Sequence, residues 1–218
     1  FLTQEHWLVG LSIDGTQAMH DAYRLDAAGR GTWERVMRAI EMLDEHGVEW
    51  NAMATVNQAN VHEPLAFYRF FRDSVGCRFL QFTPVVERET RHADGRHLAQ
   101  MLDEDCPLAP YSVKPAEWGS FLCTLFDEWV RHDVGEMFVQ IFDATLAGWM
   151  GVQPGVCAYA EECGHAMVME HNGDLYPCDH FVFPEYRLGN LLREGLPQMA
   201  YGAKQNAFSR LKRDALPA

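Results

Sequence analysis

Val48-Glu-Trp-Asn-Ala-Met-Ala-Thr-Val56, then Pro64-Leu-Ala-Phe-Tyr-Arg-Phe-Phe-Arg-Asp-Ser-Val-Gly76, then Arg78-Phe-Leu-Gln-Phe-Thr-Pro-Val-Val86 alternate in texture as strand, helix and strand. Val48 to Val56 makes a strand closed by Asn57. Pro64 opens a helix, because its fixed φ and missing N–H suit the first helical position. Leu65, Phe67, Phe70 and Phe71 carry that helix toward the stop at Gly76. Residues 78–86 form the next strand. Strands joined through helices pair in parallel, with right-handed crossovers. The rhythm extends backwards. His6-Trp-Leu-Val-Gly-Leu-Ser-Ile13 reads as a buried strand ending at the Asp14-Gly15 turn, and Trp33, Val36, Met37, Ile40 and Leu43 recur at helical spacing before Gly47. An α/β barrel or a doubly wound sheet follows.

Residues 87–114 break the rhythm with charges, Gly95, Pro107 and Pro110, and read as a loop or insertion. Pro115 starts an amphipathic helix with Trp118, Phe121, Leu122, Leu125, Phe126 and Trp129 on one face, a stripe that belongs to a core. A further helix spans about Phe138 to Met150. After Gly151 the texture changes to short segments with Pro, Gly and Cys, so a second, smaller domain is expected from residue 152. Met167 to Tyr176 reads as a hairpin around Asn172-Gly173.

Composition excludes several classes. Hydrophobic residues make up 48% and charged residues 22%, a globular balance that argues against disorder. The net charge of −13, from 31 acidic against 18 basic residues, repels phosphate backbones, so no nucleic-acid partner is expected. No run of about 18 apolar residues occurs, so no membrane span is expected. Phe1-Leu-Thr-Gln-Glu-His-Trp7 has neither the basic start nor the cleavage site of a signal peptide, and it lacks an initiator Met. Both ends read as cut. Without a secretory signal, the six cysteines suit a reducing cytoplasm better than a disulfide framework.

Three of those cysteines stand apart. Cys157-Ala-Tyr-Ala-Glu-Glu-Cys163 and His171-Asn-Gly-Asp-Leu-Tyr-Pro-Cys178-Asp179-His180 gather three thiols in loops and a hairpin. Such a set suits a soft metal or an iron–sulfur cluster, which needs four ligands. Zinc and disulfides compete. Structural zinc typically uses C-x2-4-C knuckles, and none occurs, but His165 or His180 could complete a Cys3His site. Either a histidine supplies the fourth ligand or the chain is a piece of something longer.

Two stretches carry a resemblance. Gly10-Leu-Ser12-Ile-Asp14-Gly15 with His20-Asp21 and Arg24 resembles the fourth-strand motif of radical S-adenosylmethionine (SAM) enzymes. The C-x5-C-x14-C spacing that ends in Cys178-Asp179-His180 resembles the SPASM auxiliary-cluster domain of anaerobic sulfatase-maturating enzymes. Phe79-Leu-Gln-Phe-Thr-Pro and Phe138-Val-Gln-Ile-Phe-Asp143 are similar to that family as well, so the likeness runs along nearly the whole chain.

The resemblance implies residues 1–151 as the C-terminal part of a (β/α)6 TIM-like radical SAM barrel with linking helices. Residues 152–218 would be the N-terminal part of a SPASM domain. It implies [4Fe–4S] clusters and SAM as cofactors, a sulfatase polypeptide as substrate, and a reduced flavodoxin- or ferredoxin-type electron donor. The reaction implied converts a Cys or Ser side chain to Cα-formylglycine. Cys157, Cys163 and Cys178 would ligate the first auxiliary cluster, and Asp179 would be the proton acceptor. Ser12 and Arg24 would bind SAM, with Val86 or its neighbour Val85 against the adenine. Taken alone, Ser12 is a strand-end hydroxyl, Arg24 a solvated charge, Asp14 a turn former and Asp179 a capping aspartate. The family's C-x3-C-x2-C motif, its Gly-rich turn after the second strand and its C-terminal cysteine cluster are absent, so the chain by itself is expected to be inactive. Two other readings stay open: a related radical enzyme that modifies another peptide, and a zinc-stabilised binding module without catalysis.

Overall fold

The computed structural model describes residues 1–92, 95–98 and 106–215. The chain divides into two compact units, Phe1–Phe142 and Asp143–Ala218.

The first unit opens with β1 (Val9–Ser12), α1 (Gln17–Asp21), α2 (Trp33–Glu45), β2 (Trp50–Val56), α3 (Pro64–Arg69) and β3 (Phe79–Pro84). Then come β4 (Glu89–His92), β5 (Gly95–Leu98), α4 (Pro115–His132) and β6 (Phe138–Val139). Strands β1, β2, β3 and β6 lie side by side in that order, every pair parallel. The register sets Ser12 beside Met53 and Thr55 beside Thr83.

Alternation divides the sheet into two faces. Ala52, Ala54, Val56, Leu80 and Phe82 are buried, whereas Ser12, Met53, Phe79 and Thr83 are exposed. The buried face joins a core with Ile40 of α2, Phe67 of α3 and Phe121, Leu125 and Trp129 of α4. Phe67 is fully buried at its centre, its ring 5.0 Å from Phe71, 6.0 Å from Phe82 and 5.3 Å from Phe121. These edge-on pairings add to area burial because ring edges meet ring faces of opposite charge.

The helix boundaries follow local chemistry. Pro64 and Pro115 occupy first-turn positions. The Glu117 carboxylate accepts the Lys114 backbone N–H at 2.9 Å, closing the start of α4. Beyond α2, Gly47 takes φ 61°, a left-handed conformation that glycine adopts without a Cβ penalty. Past Arg69 the helix widens into one π-helical turn, Phe70–Ser74, with Val75 N–H reaching Phe70 O at 3.1 Å. The segment read as a loop, 87–114, contains the antiparallel β4–β5 hairpin. Its residues 93–94 and 99–105 lie outside the described residues.

Helix α5 (Gln140–Trp149) follows β6 directly, and the division between the units falls inside it. The expected helix over 138–150 therefore begins two residues late, because Phe138 and Val139 pair with Phe79 and Leu80 instead. The second unit continues with β7 (Val168–Met169), β8 (Asp174–Tyr176), β9 (Gly189–Asn190), α6 (Leu196–Ala200) and α7 (Ala203–Ala215). The three strands form an antiparallel sheet in sequence order. Gly173 at φ 85° donates its N–H to Glu170 O at 2.8 Å, closing the β7–β8 turn. A small core of Leu175, Leu188 and Met199 holds this unit. Among the described residues, no helix is long and apolar enough to cross a membrane.

Candidate functional site

In the first unit, a cleft of about 300 Å³ is lined by Asp14, Tyr23, Arg24, Thr55, Asn57, Val85, Glu87 and Tyr111. Asp14 follows β1, Thr55 and Asn57 lie at the end of β2, and Val85 and Glu87 follow β3. The cleft therefore opens at the C-terminal ends of parallel strands, where α/β folds bind ligands.

Asp14 organises one wall. It is 1% exposed, and its carboxylate accepts Arg24 Nε at 2.6 Å, Arg24 Nη2 at 3.1 Å and the Thr55 backbone N–H at 2.7 Å. Two nitrogens of Arg24 are thus committed to Asp14, a forked pairing that fixes the guanidinium plane and leaves Nη1 for another acceptor. Behind this pair, Asn60 donates to Asp14 O and Thr55 O, and His20 Nδ1 accepts the Asp14 N–H at 3.2 Å. On the other wall, Tyr111 Oη donates to Glu87 Oε2 at 2.5 Å. That hydrogen bond is the largest of the effects pushing the Tyr111 hydroxyl up to about 12. Tyr23 meets the Tyr111 ring edge-on at 6.0 Å.

Of the residues expected to bind a cofactor, Arg24 lines this cleft, as does Val85. Val86 is exposed, and Ser12 ends β1 on the open sheet face; neither lines the cleft. Asp14, Thr55, Asn57, Glu87, Tyr23 and Tyr111 were not singled out from sequence as cofactor contacts. For Asp14, Asn57 and Glu87 a position shortly after a strand end was the available signal, while Glu87 and Tyr111 lay inside the segment read as a loop.

In the second unit, all three candidate ligand cysteines are free thiols. Cys157 opens a short 3₁₀ turn, Cys163 follows in a loop, and Cys178 comes just after β8. Cys178 Sγ lies 3.4 Å from Asp179 Oδ1 and 3.6 Å from His180 Nδ1, while His180 Nδ1 is 3.0 Å from Asp179 Oδ1. These three side chains are the group of metal-ligating type whose donor atoms fall within 4.8 Å of one another among the described residues.

Burial pushes the Cys178 thiol up, and the charges of Asp179 and Cys157 add to that. Asp179 moves the other way. The Cys178 hydrogen bond, with help from His180, holds its carboxyl below the usual carboxylate range, so it is ionised at neutral pH.

The donor set is soft. Thiolates suit iron–sulfur clusters, whose irons each take one, and they also suit zinc. Three free thiols, with a carboxylate and an imidazole beside one of them, fit an iron–sulfur cluster by the chemistry of the donors.

Residues 157–218 match the model of the SPASM family, an iron–sulfur cluster-binding domain. The whole chain is 54% identical over 218 residues to a serine-type anaerobic sulfatase-maturating enzyme of Bacteroides thetaiotaomicron, covering 52% of that protein. Over 191 residues it is 34% identical to a cysteine-type enzyme of Clostridium novyi, covering 87% of this chain and 47% of that one. A solved structure of native anSMEcpe with bound AdoMet superposes with a TM-score of 0.79 at 27% identity, over 97% of this chain and 55% of that one. A second, with AdoMet and the Kp18Cys peptide, gives 0.78 at 28%, with the same coverage. The chain is similar to anaerobic sulfatase-maturating enzymes along most or all of its length, and it spans about half the length of those relatives.

Proposed function

We propose that the chain is the central part of a radical SAM oxidoreductase that converts a Cys or Ser side chain of a sulfatase to Cα-formylglycine. The observation that carries this reading is the Asp179 carboxylate beside Cys178 and His180, inside the segment that matches an iron–sulfur cluster-binding domain. Residues 1–151 read as the C-terminal part of a radical SAM barrel with linking helices. The parallel sheet in chain order, with its helix-covered face buried and its other face open, supports that architecture. Residues 152–218 read as the N-terminal part of the SPASM domain. Relatives named for both serine-type and cysteine-type activity match, so the reading covers both side chains. A sulfatase peptide as substrate, a flavodoxin- or ferredoxin-type donor and a reducing cytoplasm complete it.

The cleft past the strand ends suits SAM. Arg24, oriented by Asp14, offers Nη1 to a carboxylate, Glu87 offers an acceptor to an ammonium, and the Tyr23 and Tyr111 rings give a flat wall to a base. Cys157, Cys163 and Cys178 would hold the cluster. Bound in these places, SAM would supply a 5′-deoxyadenosyl radical that takes a hydrogen atom from the target Cβ, and a [4Fe–4S] cluster would supply an acceptor for the electron left behind. The chain's own task is the proton. Forming the carbon–heteroatom double bond frees the thiol or hydroxyl proton, and the Asp179 carboxylate takes it. His180 Nδ1, 3.0 Å from Asp179 Oδ1, orients that carboxylate.

A zinc-stabilised module is favoured by one observation, the compact Cys178–Asp179–His180 group. It predicts a colourless protein with one zinc, against a brown one with iron and sulfide. The functional test uses the full-length protein with Asp179→Asn. SAM cleavage is expected to persist while formylglycine formation falls about 10²- to 10⁴-fold. Undiminished aldehyde yield removes Asp179 from the proton-acceptor role.

A further inference from the structure

We propose that α7 is the clamp that sets all three ligand-cysteine loops in register, with Lys212 as the positioning residue for the Cys157 loop. This rests on the cluster reading of the three cysteines above. The loops carry little backbone ladder of their own: Cys157 sits in a single 3₁₀ turn, and Cys163 lies outside any helix or strand. Something else must fix them, and one helix reaches each.

Lys212 Nζ donates to Cys157 O at 2.7 Å and to Ala158 O at 3.2 Å. The Cys163 N–H donates to Ser209 O at 2.9 Å, and Gln205 Nε2 donates to Gly164 O at 3.2 Å. Arg213 pairs with Glu162, next to Cys163. The third loop is held by packing. Phe208 meets Phe181 at 5.2 Å and Tyr186 at 5.9 Å, and the Phe181 N–H donates to Cys178 O at 3.1 Å.

Gln205, Ser209 and Lys212 recur at helical spacing of four and three residues, so one stripe of α7 serves two of the loops. Gln205 is fully buried, and its Oε1 has no partner among the described residues. A buried amide kept in spite of that orphaned oxygen argues that its N–H is needed where it stands. Ligand loops held before metal arrives lose less freedom on binding it, and contacts behind the ligands set how tightly it stays.

The test is iron retention, read apart from activity. Full-length protein is reconstituted anaerobically as wild type, Lys212→Met, Lys204→Met, and with Cys157, Cys163 and Cys178 all replaced by alanine. Iron release to a colorimetric chelator is followed, and the iron that depends on the three cysteines is obtained by difference from the alanine protein. Lys204 lies on the same helix but donates to Arg187 O, so it controls for general damage to α7.

Loss of charge-assisted bonds to the Cys157 loop should speed cysteine-dependent release about tenfold in Lys212→Met. Lys204→Met should release at the wild-type rate. Failure of Lys212→Met to load that iron, while Lys204→Met loads normally, counts equally for the clamp. Wild-type release from Lys212→Met, or equal acceleration in both lysine variants, overturns it. An alanine protein with as much iron as wild type overturns instead the cluster reading beneath it.

Discussion

His20 shows how much one buried side chain can be made to do. It is fully buried, Nδ1 accepts the Asp14 N–H, and Nε2 meets Thr32 Oγ1 at 2.9 Å. Because the Thr32 hydroxyl already donates to Arg24 O, the ring must donate through Nε2 and accept through Nδ1, which assigns the neutral Nε2–H tautomer. Burial is the largest cause holding its pKa below 6.5. The unfolded chain therefore binds the proton more readily, so the stability contributed is complete above about pH 6.5 and is lost as pH falls toward the folded value. The thermal midpoint should drop more between about pH 7.5 and about pH 5.5 for wild type than for His20→Gln. Equal slopes would remove His20 from that dependence. The sequence pointed to Arg24 and to the Asp14-Gly15 turn but not to the tie between them. A turn aspartate and a buried carboxylate look alike in one dimension, since burial here is created by Thr55 and Asn60 from distant positions. Asp179 was singled out through the family resemblance, and its contacts with Cys178 and His180 are with residues adjacent in the chain.

At the scale of elements, legibility tracks locality. Helices α2 and α4 and strands β2 and β3 follow from apolar spacing, Pro64, Pro115 and Gly47, all short-range signals. Strand β6 did not, because two residues have no periodicity; Phe138 and Val139 become a strand only by pairing with β3. The π-helical turn at Phe70–Ser74 has no signal in the apolar spacing either, and beside it Phe67, Phe70 and Phe71 are buried in one aromatic group. Removing the ring at its centre tests how far that group holds the helices on the sheet. Phe67→Ala should cost about 3–5 kcal/mol of unfolding free energy, measured by urea titration of tryptophan fluorescence. A loss below about 1 kcal/mol would mean that the site collapses to fill the space and the aromatic group is not the keystone.

Across the whole molecule, each of the two units carries its own candidate site. The first offers a cleft past its strand ends, with a forked Arg24–Asp14 pair on one wall and Glu87–Tyr111 on the other. The second offers three free thiols on loops tied to α7, with an ionised carboxylate beside one of them. Charge and composition speak to the class of partner expected, but neither could locate these sites. The central claim is that Cys157, Cys163 and Cys178 hold iron. Its most direct measurement is iron content and visible absorbance after anaerobic reconstitution of the full-length protein, as wild type and with those three residues replaced by alanine. The alanine protein is expected to load less iron, about four atoms fewer per chain for one [4Fe–4S] cluster. Equal iron in the two proteins would contradict it.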